Sequence, residues 1–299
     1  MLFERQRLLL VLVEALGERV TNTDLQKYLF LFTKSNQTTN PLYDFVPYRF
    51  GAFSFSSYAD LRKLEERNLM RQDEGTWQIS DGGRALIERE RGLRDQVLSF
   101  LSSAPKLRGD ALVALTYRLH PFFAVRSEIV NRVLGDDAVA RSQIEAARPK
   151  PASPGISTIG YEGRSLEAYL VLLLKGGVTI LCDVRRNPLS RRYGFSKSTL
   201  SNACNNVGIR YEHLPKLGIA SEERQGLDSL EDYEALFDTY AAEQLPNQTE
   251  SLSVISSWVK DGHRVALTCF ERSPSQCHRH CVADALLTQH GVQFAPHHL

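Results

Sequence analysis

Residues 269–281, CFERSPSQCHRHC, concentrate three of the chain's five cysteines and two of its eight histidines with two arginines. Those side-chain types support three chemistries. A cysteine at the end of a strand, before a helix, is placed to act as a thiol nucleophile activated by backbone amides and a helix N-terminus. The phosphatase version needs an arginine at the sixth position past the cysteine, and those positions hold Ser275 and Ala283, while Pro274 removes an amide donor. Cys269 therefore stands as a nucleophile of another kind. Cys277, His280 and Cys281 fall within about a 100° arc of a helix, a weak candidate metal set that Cys269 could complete. His278 and Arg279, in a first helical turn, suit an anion. The plain alternative is that Cys182, Cys204 and Cys269 are simply packed in the core.

The elements that carry these residues alternate. ISTIGY reads as a strand, Ser165–Lys175 as a helix, VTILCDV as a strand, SKSTLSNACNNVG as a helix and IRYEHL as a strand. LEDYEALFDTYAAEQL and ESLSVISSWVKDG read as helices, RVALTCF as a strand, CHRHCVADALLTQHG as a helix and VQFAP as a last short strand. This rhythm predicts an α/β layer with a mainly parallel sheet and flanking helices. Sites in such sheets lie beyond the carboxyl ends of the strands. Here those ends supply Tyr161, Glu162 and Arg164, then Asp183, Arg185 and Arg186, then His213, then Cys269 and Glu271. Asp183 and Glu271 are the candidate acid–base pair.

Residues 182–216 carry seven Lys or Arg against two acids, within a half-chain (151 onward) of 14 basic and 16 acidic residues. Arg185, Arg186, Arg191 and Arg192, with Arg164, Arg279 and His278, are the expected contacts for phosphate or nucleic acid, because arginine forks match phosphate geometry. The residues leave the cofactor open.

AARPKPASPGIS divides the chain. The expected organisation is a mostly helical winged-helix-like domain with additional helices over 1–145, a linker over 146–157 and the α/β domain over 158–299. In the first half, Leu8, Leu9, Leu12, Val13 and Leu16 form a helical stripe, and Thr21 or Asn22 caps a second helix carrying Leu25, Tyr28, Leu29 and Phe32. SSYADLRKLEERNL is a third helix with Leu61, Leu64 and Leu69 inward, followed by two short arms around an Asp-Glu-Gly turn. As a DNA reader the third helix is mixed: Arg62, Lys63 and Arg67 share it with Asp60, Glu65 and Glu66.

Net charge of +1 provides no global field toward nucleic acid or membrane. No apolar run reaches the roughly 18 residues of a membrane span, and the acid-interrupted start does not read as a signal peptide. Five cysteines do not suggest a disulfide framework, so a cytoplasmic protein is expected.

Residues 156–299 resemble the bacterial and archaeal domain-of-unknown-function family 488, in TIGYEGRSLEAYL, DVRRNPLSRR, FSKSTL, GIRYEHLPKLG, ALTCFERSPSQCHR and the closing HHL. The resemblance implies a small α/β sandwich with Asp183, Arg185, Cys269, Glu271, Cys277, His278 and Arg279 at the shared positions, and implies no activity. Related sequences often place plain polar residues where this chain has His280 and Cys281. The first half, with Tyr117, His120, Pro121 and Arg126-Ser127-Glu128, is similar to the winged-helix-like region that precedes this domain in some members. DLQKYLFL with YRFGAFSFSSYADLRKLEERNL also resembles phage-associated antitoxin-type domains. The expectation is a nucleic-acid-associated protein, with nucleic acid, a nucleotide or (through the first domain) a protein as partner. The alternatives are an enzyme using Asp183 and Glu271 or Cys269, or a ligand-sensing regulator or defence-type interaction protein.

Overall fold

The computed structural model describes residues 2–17, 19–36, 41–220, 222–224, 226, 229–289 and 297–299. The chain forms two units, Met1–Arg148 and Pro149–Leu299.

The first unit runs α1 (Glu4–Leu16), β1 (Val20–Thr21), α2 (Asn22–Ser35), β2 (Val46–Tyr48), β3 (Gly51–Phe53), α3 (Phe55–Glu66), β4 (Met70–Asp73) and β5 (Thr76–Ile79). Five helices follow: α4 (Asp81–Ile87), α5 (Arg91–Ser103), α6 (Gly109–Leu119), α7 (Val130–Leu134) and α8 (Ala138–Ala146). The expected cap forms at Thr21, whose side chain accepts from Asp24 N at 3.1 Å. The Asp-Glu-Gly turn joins β4 to β5, and β1 adds to β5 to make a three-stranded antiparallel sheet of order β1-β5-β4. That third strand is only two residues long, which is why periodicity did not reveal it.

α1 is more deeply placed than a one-face stripe implies, since Leu8 through Val13 are all buried. Its Gln6 Nε2 donates to Asp60 Oδ1 at 2.8 Å, and Tyr43 OH donates to Asp60 Oδ2 at 3.1 Å. Asp60 is thus a core acceptor rather than a surface acid. The exposed side of α3 keeps Arg62, Lys63, Glu66 and Arg67, with Glu65 half-buried and paired to Arg62 at 3.1 Å.

The second unit alternates as expected: β6 (Gly155–Gly160), α9 (Leu166–Lys175), β7 (Ile180–Asp183), α10 (Lys197–Asn206), β8 (Arg210–His213), α11 (Leu230–Thr239), α12 (Thr249–Lys260), β9 (Arg264–Cys269), α13 (Arg279–Gln289) and β10 (His297–His298). The first strand begins inside the proline-rich stretch expected to be linker. All neighbouring pairs are parallel, in the order β10-β6-β9-β7-β8. The strand expected at VQFAP (292–296) lies outside the described residues. β7 continues to β8 toward one edge of the sheet while its neighbour β9 continues to β10 toward the other. Their outgoing chains diverge and leave a crevice at the shared carboxyl edge.

α13 starts at Arg279, two residues later than the sequence pattern implies. Pro274–Gln276 form a 3-10 turn and Cys277 is extended (φ −148°, ψ 129°). Proline fixes its own φ and disfavours α geometry in the residue before it, so the chain cannot enter the helix directly from β9.

Candidate functional site

At the end of β7, Asp183 and Arg185 lock together. Arg185 donates from Nε to Asp183 Oδ1 at 2.8 Å and from Nη2 to Oδ2 at 2.5 Å, and its backbone N donates to Oδ1 at 3.1 Å. Tyr211 OH supplies a further hydrogen bond to Oδ2 at 2.6 Å. Arg185 Nη1 donates to Tyr161 OH at 3.0 Å and Phe195 O at 2.9 Å. Asp183 is fully buried and Arg185 is 6% exposed. Burial works against the Arg185 charge, but the adjoining Asp183 carboxylate outweighs it and raises the guanidinium's pKa. Burial first, and Asp183 next, raise Tyr211 as well. With four hydrogen bonds on its two oxygens, Asp183 is built to hold Arg185.

The sequence reading missed Tyr211 and Phe195 as parts of this clamp. The register pairs Leu181 with Tyr211 and Asp183 with His213, so Tyr211 follows from strand alternation only once β7 and β8 are known to be neighbours. His213 Nε2 donates to Arg185 O at 2.9 Å and steadies the same loop. Phe195 stacks on Tyr161 with ring centroids 4.4 Å apart.

The crevice is a cavity of about 240 Å³ whose lining includes Tyr161, Arg185, Arg186, Asn187, Cys269 and Glu271. Its walls meet because glycines allow close approach. A Cβ on Gly160 would lie 1.8 Å from Glu271 O, and one on Gly218 would lie 2.0 Å from Arg186 N. Phe270 O also accepts from Tyr161 N at 3.1 Å and Glu162 N at 2.9 Å, tying the end of β6 to the chain leaving β9.

Behind Cys269, at one side of the crevice, sits His278, fully buried. Its Nε2 donates to Val184 O at 3.1 Å, which turns Nδ1 toward Cys269 Sγ at 3.8 Å. Cys277 completes the group: the donor atoms of Cys269, Cys277 and His278 all lie within 4.8 Å of one another. Burial first, then hydrogen bonding with Cys269 and the charges of Cys269 and Glu271, push the Cys277 thiol well above its ordinary pKa.

This differs from the spacing-based set of Cys277, His280 and Cys281. Cys277 is not helical, so it does not share their face. His280 Nδ1 instead donates to Cys277 O at 2.7 Å, and Cys281 Sγ lies 3.4 Å from His280 Nε2. Cys182 and Cys204 are buried, and burial raises both thiols.

Arg279 also has a different setting from an open first-turn cation. It is 1% exposed and folds back, donating from Nη1 to Glu271 O at 2.6 Å and from Nη2 to Arg272 O at 3.0 Å. It therefore staples the loop between β9 and α13. Arg164 donates to Leu299 O at 3.0 Å and accepts at its own carbonyl from Arg192 Nε at 2.5 Å. Burial first, then the charges of Arg272 and Arg279, lower the pKa of Arg164. Several guanidiniums thus share one neighbourhood. Of the expected anion contacts, the crevice itself gathers Arg185 and Arg186, while Arg191 and Arg192 are exposed on the 184–196 loop.

Residues 165–286 match the family model of DUF488, a domain of unknown function. That match lies within the C-terminal half of the chain. The match begins after Tyr161 and Arg164 and ends before the closing HHL, so the DUF488 model spans the clamp and the Cys269–Arg279 loop but not the whole rim. No curated protein and no solved structure matches the chain. Among the described residues no helix is long and apolar enough to cross a membrane.

Proposed function

We propose that this is a nucleic-acid-associated protein whose DUF488 domain holds a phosphate-bearing group at the carboxyl edge of its parallel sheet. One observation carries the reading: Asp183, the buried acid behind the crevice-lining Arg185, is already paired with that arginine. Arg186 lines the crevice beside Glu271, and Arg191 and Arg192 are exposed on the adjoining 184–196 loop, where an anion reaching the cavity would meet them. Glu162 is engaged, accepting from Arg272 N at 3.0 Å. At about 240 Å³ the cavity falls just below the ~300–1,000 Å³ of drug-sized ligand sites. It suits one end of a ligand, a phosphoryl group with part of a sugar, with the remainder lying over the arginine-bearing rim.

The first unit supports the same reading. Its order of α1, β1, α2, the β2–β3 pair, α3 and a two-stranded arm, with a β1-β5-β4 sheet, is compatible with a winged helix-turn-helix. In that reading α3 is the element that enters a major groove and the β4–β5 turn is the wing. With Asp60 withdrawn into the core, the exposed charge of α3 is more basic than its sequence suggests.

Fluorescence-anisotropy titrations of duplex, single-stranded DNA and RNA at two salt concentrations test the proposal, alongside calorimetry with mononucleotides. Binding that weakens with salt and is reduced by Arg186→Ala is expected. No binding of any nucleic acid or nucleotide at low salt would overturn it.

A further inference from the structure

We propose that Cys269, Cys277 and His278 form a metal centre for a zinc-class divalent ion, open toward the crevice. The inference rests on the donor atoms and stands independently of the phosphate reading.

Three donors from two separate segments converge. Cys269 ends β9, whereas Cys277 and His278 return after the 3-10 turn. A tetrahedral zinc with sulfur at ~2.3 Å and nitrogen at ~2.0 Å spaces its donors about 3.5–3.8 Å apart. The Cys269 Sγ to His278 Nδ1 distance is 3.8 Å, and every distance within the trio is at most 4.8 Å. Closing onto an ion therefore needs side-chain adjustments of well under a rotamer change.

The imidazole is oriented as metal-binding histidines are. Its other nitrogen donates to a backbone carbonyl, Val184 O at 3.1 Å, which fixes the tautomer and leaves Nδ1 as the electron-pair donor. All three residues are at most 1% exposed, so the donors are held by packing. Two thiolates and a neutral imidazole balance a divalent charge.

Ligand type narrows the ion. Two sulfurs and an imidazole favour zinc, or the cobalt that reports on zinc sites, and disfavour magnesium and calcium. Structural zinc sites are closed by four protein ligands, whereas open sites use three and leave a position for water or ligand. Cys269 and Glu271 both line the crevice, so the fourth position falls to Glu271 or to whatever occupies the cavity.

Binding converts two thiols to thiolates and releases on the order of two protons per ion, so affinity rises with pH. The test uses the full chain, reduced, stripped with chelator and titrated with Co²⁺, then Zn²⁺. We expect one equivalent of cobalt, a thiolate-to-cobalt charge-transfer band, and its loss on adding zinc. Loss of an outer-shell partner alone lowers metal affinity about 10–100-fold, so Cys269→Ser, Cys277→Ser and His278→Gln should each lower it at least that much. Cys281→Ser and Cys204→Ser should leave it unchanged. Absence of the band, or a band that survives Cys269→Ser, overturns the proposal. Should a variant fail to fold, wild-type alkylation decides. Zinc must shield Cys269 and Cys277 in peptide maps, and equal labelling with and without zinc refutes the site. Metal binding without nucleotide binding would leave this centre standing and remove the proposed function; the reverse result would do the opposite.

Discussion

Asp183→Ala probes the clamp on which the crevice depends. The substitution removes the acceptor for three Arg185 donors and for Tyr211 OH. Arg185 then remains 94% enclosed with only Tyr161 OH and Phe195 O as acceptors. Removing one partner of a buried ion pair costs about 3–5 kcal/mol, because the remaining charge is uncompensated. For a unit of this size, each kcal/mol moves the Tm by roughly 2–4 °C, so a fall of about 6–20 °C is expected. The chain's two tryptophans fall one in each unit, so urea unfolding in a Trp77→Phe background follows the DUF488 half through Trp258. The paired change Asp183→Leu with Arg185→Met removes both charges and should cost less than Asp183→Ala alone. A cost under about 1 kcal/mol for Asp183→Ala, or a double variant equal to the sum of the singles, would refute the argument that the pair neutralises itself.

Lys27, 2% exposed with Nζ donating to Ala52 O at 2.8 Å, is lowered by burial to about 7 from its ordinary 10.5. Between those values the unfolded chain holds a proton that the folded one lacks, so stability of the first unit rises with pH there. The slope is up to about 1.4 kcal/mol per pH unit, and Lys27→Met should abolish it in unfolding measured from pH 6 to 10. Gly160→Ala forces Glu271 O away from β6 and should destabilise the DUF488 half and impair ligand binding; unchanged melting would contradict the close packing. Replacing Arg186, Arg191 and Arg192 together by Ala should weaken nucleic-acid binding and flatten its salt dependence. The log–log slope should fall by roughly 2–3 if each arginine contacts a phosphate. An unaltered slope would move the contact surface elsewhere.

Much of this architecture was legible before folding was considered. The alternation from ISTIGY to the last helix specified parallel strands and helices because period-2 and period-3.6 burial are local properties of a chain. The Thr21 cap and the Asp-Glu-Gly turn are equally local. What failed locally was small or paired. β1 is two residues whose only reason to be a strand is β5 alongside, and Asp60 reads as a surface acid until Gln6 and Tyr43 surround it.

The same division runs through the candidate site. Composition and strand order were enough to bring Asp183, Arg185, Cys269 and Glu271 to one sheet edge, since strand ends in a parallel sheet share an edge. Which groups meet there was decided in three dimensions. Asp183 and Glu271 are the expected acid–base pair, and in the fold Asp183 is paired with an arginine two residues away. The metal reading attached itself to Cys277, His280 and Cys281 because helical spacing is the simplest geometry a sequence offers. In the fold, Pro274 delays the helix, Cys277 stays extended, and the carbonyl of Val184, just past the end of β7, turns the His278 ring toward Cys269. A sequence specifies which donors exist and their distance along the chain. Their distance through space depends on a turn, a carbonyl just past the end of β7 and the burial that holds them there.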